Sequence, residues 1–230
     1  MMGGFKNAEL NKEVRNLIFE GIIDKILICS EMMVVDCINS NISIENHEEK
    51  IRNYLYENYL NNNYVRNKVG LKQIKLGFII EAPEKYNVNE KTYLGRVDIK
   101  VVSENWFRNC NDYFIIECKR IDGGTDLNKK YVDNGVCRFA TNNILYSSND
   151  DKNIMFGFVV KDINVDDNTT IINKIQNETP NLCVKQEFTK ADCKINNSYI
   201  YLSKYTVKEK ILELRHLFHK FSEIIKQKPV

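Results

Sequence analysis

The chain has 230 residues, 28% of them charged, with 10 Gly and 3 Pro, which is the composition of one ordered globular unit. A formal net charge of +2 excludes a polycation that coats nucleic acid, so any such contact must come from a local patch of Lys and Arg. Seven cysteines without a C-x-x-C fit neither a zinc cage nor a secreted disulfide framework, and reduced thiols in the cytoplasm are expected.

Residues 8–38 predict one long helix. Glu13, Glu20, Asp24 and Glu31 form an acidic stripe within about 40° of the wheel. Ile18, Ile22, Ile23, Ile26, Leu27, Met33 and Val34 cover much of the rest, and so wide an apolar surface needs either the body of the domain or a second copy of the chain. Asp24, Lys25, Glu31 and Asp36 interrupt the apolar stretch, so it does not span a membrane. The expected organisation is a helical extension over 1–40 and a single domain over 41–230, with a core at about 44–161.

After Asn39-Ser40-Asn41, Ser43 is the expected N-cap of a helix over 44–61. Ile44, Ile51, Tyr54, Leu55 and Tyr59 share its apolar face, and Glu48 projects into the middle of that face. An acid there calls for a partner inside, and His47 beside it is expected to be an interior histidine.

Leu76 to Glu81 reads as a strand closed by Ala82-Pro83, and Leu94 to Val102 as another, with Val97, Ile99 and Val101 alternating against Arg96, Asp98 and Lys100. Trp106 to Asp112 makes a loop. Tyr113 to Ile121 is a third strand, whose near-continuous apolar start marks a central position. Short polar connections predict an antiparallel meander. A helix over 126–146 has two sides: Val132, Val136 and Phe139 pack, while Tyr131, Gly135, Arg138 and Asn142 line up about 100° away. Gly135 costs roughly 1 kcal/mol against Ala there and implies the close approach of a neighbour. The strand Ile154 to Lys161 completes a β-α-β crossover and is expected to lie parallel to an earlier strand. A helix over 166–178, strands at Leu182–Phe188 and Ser198–Tyr205, and a closing helix over 208–226 follow. That last helix would bury Ile211, Leu214, Phe218, Phe221 and Ile225 and turn Lys208, Arg215, His216, His219 and Lys226 outward.

Chemistry concentrates on two of these strands. Glu117 and Lys119 lie two apart and share a face, with the Cys118 carbonyl between them, and Asp98 lies on a neighbouring strand with 18 residues between it and Glu117. Charges at the end of the apolar run Phe114–Ile116 cost several kcal/mol unless they are paired. A divalent cation with a phosphate would pair them, and so would an ordinary ion-pair network in which Lys119 reaches both carboxylates and leaves no room for a metal.

The order of a helix with an inward acid, a strand, a strand bearing Asp98, a strand bearing Glu117-Cys118-Lys119, a helix and a strand resembles the PD-(D/E)XK nuclease superfamily. Val97 stands where the motif has proline. The resemblance implies a restriction-endonuclease-like fold of α/β class with α+β character. This is a mixed central sheet flanked by helices, here with an added N-terminal helix and C-terminal strands plus helix. It further implies an Mg²⁺-dependent endonuclease, with Mn²⁺ as a substitute, that hydrolyses phosphodiester bonds, DNA before RNA. Asp98, Glu117 and the Cys118 carbonyl would be the metal ligands, Lys119 would orient or deprotonate the attacking water, and Glu48 would complete the outer shell. Glu81 is a further acid near the site. Tyr131, Arg138, Arg96 and Arg120 would contact substrate. The implied partners are nucleic acid, a second copy through helix 8–38 and a subunit that delivers the substrate. A non-catalytic nucleic-acid-binding or assembly module on the same fold stays open beside it.

Overall fold

The structure, a computed structural model, describes residues 5–84, 86–89, 91–93, 95–103, 113–141 and 152–226. The expected loop at Trp106–Asp112, together with Asn142 and the last turn of the helix expected to end at 146, lies outside the described residues. The chain opens with α1 (Phe5–Asn39), β1 (Ile44–Glu45), α2 (Glu48–Leu55) running into a π turn (Tyr56–Leu60), and α3 (Asn63–Lys68). There follow β2 (Leu76–Pro83), a small hairpin of β3 (Tyr86–Asn87) and β4 (Thr92–Tyr93), β5 (Arg96–Ser103) and β6 (Tyr113–Ile121). Next come α4 (Thr125–Tyr131), a second π turn (Val132–Val136), α5 (Cys137–Ala140), β7 (Lys152–Val159) and α6 (Val165–Glu178). The chain closes with β8 (Val184–Ala191), β9 (Ser198–Val207), β10 (Lys210–Lys220) and β11 (Ile225–Lys226).

Seven strands form one mixed sheet in the order β2-β5-β6-β7-β10-β9-β8. The first three are the expected antiparallel meander, and β7 lies parallel to β6 after the α4–α5 crossover, as the sequence predicts. β7 is parallel to β10 on its other side as well, so it is fully interior, and from Ile154 to Val159 its side chains are apolar on both faces. One core packs beneath α1 and α2 and includes Phe19, Ile26, Ile51, Ile99, Ile116 and Phe156. The other packs against α4, α5 and α6 and includes Tyr131, Val136, Met155, Ile172 and Phe218. The protein is therefore a mixed α/β structure whose seven-stranded sheet is flanked by helices. The wide apolar surface of α1 is met by this body from Phe19 to Cys37, while Val14 and Leu17 stay exposed. No helix among the described residues is long and apolar enough to cross a membrane.

Three expectations are corrected. The closing helix over 208–226 is the strand β10, paired through Val207↔Lys210 to β9 in a hairpin whose two loop residues, Lys208 (φ 47°) and Glu209 (φ 66°), are both left-handed. Such a turn is ordinarily written with Asn and Gly, so its usual sequence signal is missing. β10 is buried on both faces along its second half, and an apolar run of that kind satisfies helical and extended spacing alike. Ser43 does not cap a helix, because Ile44–Glu45 instead pair in parallel with Ile225–Lys226, and α2 begins at Glu48. His47 is exposed rather than interior.

His216 and His219, three apart on a strand, face opposite sides of the sheet instead of sharing an outer surface. Tyr131 Oη lies 2.9 Å from His216 Nδ1 and Ser203 Oγ lies 2.6 Å from its Nε2, while Ser198 Oγ lies 2.8 Å from His219 Nδ1. Burial pushes both imidazoles down to about 3. Unfolding returns them to about 6.5, so the unfolded chain binds more protons below that pH. Stability that is complete above about 6.5 is lost as pH falls toward 3, at up to about 1.4 kcal/mol per pH unit for each histidine. Urea unfolding at pH 7, 6 and 5 should show the midpoint falling at each step, and a midpoint that stays level would contradict neutral burial of the pair.

Candidate functional site

Strands β5 and β6 pair over only four residues, from Val102↔Tyr113 to Ile99↔Ile116. Beyond Ile99 the two strands part. β5 continues along β2 through Val97↔Ala82, and β6 continues along β7 through Glu117↔Met155 to Ile121↔Val159. Val97 packs with the core under α4, whereas Ile99 and Val101 pack with the core under α1. The expected single face for these three residues is therefore wrong, and the strand's alternation resets at Asp98. The fork brings Asp98, Glu117, Cys118 and Lys119 together.

Glu117 has 0% exposure. Its Oε1 accepts from Lys119 Nζ at 2.7 Å and from Arg138 Nη1 at 2.9 Å. Lys119 Nζ also donates to the Cys118 carbonyl at 2.7 Å and to Glu48 Oε1 at 3.0 Å, and lies 3.8 Å from Asp98 Oδ2. In the fork, Asp98 Oδ2 accepts the Cys118 amide at 2.8 Å, in place of a ladder bond. Its Oδ1 accepts from Arg52 Nη1 at 2.6 Å. Arg52, 2% exposed, also pairs with Glu81, which faces the more exposed Arg96 at 3.5 Å. Glu81 holds a left-handed φ of 53° at this point, a conformation sparsely populated outside Gly. Among the described residues, four carboxylates and four cations are thus linked in a row from Arg96 to Arg138.

Burial, followed by the charge of Asp98, pushes Glu117 up to about 7 against the pull of Lys119 and Arg138. Burial alone would lower Lys119, but Glu117, Asp98 and Glu48 outweigh it and hold the ammonium above the ordinary lysine range. Lys119 in this setting keeps its proton and donates hydrogen bonds. Burial and Asp98 push the Cys118 thiol well up, and it stays protonated.

The oxygen donors suit a hard cation by type: Asp98, Glu117, the Cys118 carbonyl and Glu48 beside them. They converge on the Lys119 ammonium. Among the described residues no three His, Cys, Asp or Glu side chains are set to hold a metal as they stand. Mg²⁺ takes oxygens at about 2.0–2.1 Å, so its binding would require Lys119 Nζ to leave the centre of these oxygens.

The other expected contacts divide. Arg138 reaches Glu117, and Arg120 is held by the carbonyl and side-chain oxygens of Asn46 at 2.6 and 2.8 Å. Arg96 belongs to the Glu81 end of the row. Tyr131 is fully buried with its hydroxyl on His216, which removes it from substrate contact. The π turn explains the difference. Lys130 and Arg138 would stand about 80° apart on an uninterrupted α-helix, but one inserted residue turns the phase by about 100°. Lys130, Asn134 and Arg138 consequently line one cleft of about 240 Å³ with Glu48, Lys119, Arg120 and Leu127. Sequence reasoning missed Arg52, Lys130 and Asn134, and no residue type in the helix after β6 announces the π turn. The close approach expected at Gly135 is present: a Cβ there would lie 2.4 Å from Met155 Cε and 3.4 Å from Lys119 Cγ.

Two substitutions test the row. Arg52→Met strips a buried cation from Asp98 and should destabilise the fold by about 3 kcal/mol. Arg96→Ala, at the exposed end, should change it by under about 0.5 kcal/mol. Equal effects in urea unfolding would show that the row is not anchored at Arg52. Compared with family models, curated proteins and solved structures, the chain finds no match.

Proposed function

We propose that the protein is a metal-dependent nuclease that hydrolyses phosphodiester bonds, DNA foremost, on a restriction-endonuclease-like fold. The observation that carries this reading is the convergence of Asp98, Glu117, the Cys118 carbonyl and Lys119 at a fork between strands, with Glu48 reaching in from α2. The element order α2, β2, β5, β6, α4–α5, β7 supports it as well. Asp98, Glu117 and the Cys118 carbonyl would hold Mg²⁺ or Mn²⁺, which when bound supplies Lewis-acid stabilisation of a phosphate oxygen and an acidified water. Lys119, displaced from the centre of these oxygens, donates a hydrogen bond to the phosphate and offsets its growing negative charge. Glu48, partly exposed on the cleft, accepts the proton of the attacking water. Arg52 fixes Asp98, and Arg138 fixes Glu117. The reading carries DNA as the partner in a reduced cytoplasmic setting, with a delivering subunit for cutting both strands.

A second reading has one observation in its favour. Lys119 lies within 4.0 Å of Glu48, Asp98 and Glu117 together, which suits a structural lock without turnover. The two readings separate on one titration and one assay. Mg²⁺ added in a calorimeter should release or absorb heat with wild type, and Lys119→Ala should keep that heat while losing cleavage of plasmid DNA. Asp98→Asn should lose both, and EDTA should stop the wild type. Cleavage by Asp98→Asn at the wild-type rate would falsify the assignment, and a flat titration with no cleavage selects the lock.

A further inference from the structure

The cleft beside the carboxylates has a different chemistry from the fork itself. Four of its seven lining side chains are cationic (Lys119, Arg120, Lys130 and Arg138), and Glu48 is the one carboxylate among them. Lys119 and Arg138 are drawn on one side to the buried Glu117. Arg120 is held in place by the two oxygens of Asn46, both neutral, so its charge is positioned without being cancelled there. Lys130 is exposed and has no ion pair or hydrogen bond from its side chain among the described residues. Asn134 adds a neutral side-chain amide one π turn further along the same wall. A volume of about 240 Å³ is below the roughly 300–1,000 Å³ of pockets for drug-sized ligands. That is room for a phosphate with its sugar.

The wall is also built to keep its place. Gly135 lets the helix press against Met155 and the stem of Lys119, and the π turn brings Lys130 round to the side of Arg138. Position, sign and size agree on one ligand chemistry.

We infer that this cleft is a phosphate subsite, in which Lys130 and Arg120, with Asn134, hold one phosphate of a nucleic-acid strand next to the bond addressed at the fork. The choice of a nucleic-acid phosphate rests on the nuclease reading. The phosphate is either an internal diester flanking the scissile bond or the monoester at a strand end. Lys130 is a positioning residue here: it binds the strand and takes no part in bond breaking.

Binding without turnover tests this. The probe is a fluorescent single-stranded oligonucleotide, measured by anisotropy in EDTA over a series of salt concentrations. Lys130→Glu should weaken binding by about tenfold, and Lys130→Ala should lower the slope of log affinity against log salt by about 1. Lys185→Glu makes the same change in net charge on the edge strand β8 and should leave both quantities as in wild type. In cleavage assays Lys130→Ala should raise KM at unchanged kcat. Oligonucleotides with a 5′-phosphate and a 5′-hydroxyl separate the two sources. Tighter binding of the former that disappears in Lys130→Glu assigns the strand end, and equal binding assigns the internal diester.

Wild-type binding that Lys130→Glu does not weaken, an equal loss in Lys185→Glu, or no binding by wild type each overturns the subsite. Should Mg²⁺ support no cleavage while Lys130→Glu still loses binding, the subsite stands and the hydrolysis reading falls. Cleavage by a wild type whose binding ignores Lys130 gives the converse.

Discussion

The Glu117 carboxylate has no exposure, and the rest of the site follows from keeping it there. A carboxylate inside a sheet, between apolar neighbours, needs cations that reach it without water. Lys119 does so from two residues along the same strand, and Arg138 does so from the helix packed above. Because Lys119 is itself largely buried, it needs more oxygen than Glu117 offers, and it collects the Cys118 carbonyl and Glu48. Asp98 adds a third negative charge at longer range and is in turn held by Arg52. Each burial creates the demand that the next residue meets, until the row ends at groups that water can reach.

Such a row is stiff toward loss of a member and receptive to exchange. Removing one ion leaves a buried charge unmatched, whereas replacing the central ammonium by another cation keeps the oxygens satisfied. The same geometry therefore reads as a lock when Lys119 fills the centre and as a metal site when it moves aside. In the fork between β5 and β6 the Cys118 amide bonds a side chain and not a facing strand. Gly135 sets how near the helix wall comes to Lys119, and so ties the position of the cationic cleft to that of the fork.

The parts legible in the sequence were those governed by short-range periodicity. The meander and the parallel β7 follow from apolar alternation and from the length of the crossover. The shared face of Glu117 and Lys119 follows from the two-residue period of a strand. Asp98 and Glu48 were legible as acids in apolar company, because a buried charge advertises the need for a partner. Lys130 was not legible, since an exposed lysine on a helix looks like any other and the inserted residue of a π turn has no compositional mark.

What the sequence by itself determined, then, is that Asp98, Glu117, Lys119 and Glu48 carry charge toward the interior, and which elements hold them. Tertiary structure decided who meets whom. It chose a strand over a helix for Lys210–Lys220 through pairing with β7 and β9, and turned His216 and His219 to opposite faces. It supplied Arg52 as the partner of Asp98 across 46 residues of chain. It also placed the Lys119 ammonium where a metal was expected. The physical reason is that local spacing fixes the direction of a side chain along its own element, while the identity of the opposite charge depends on which element packs against it.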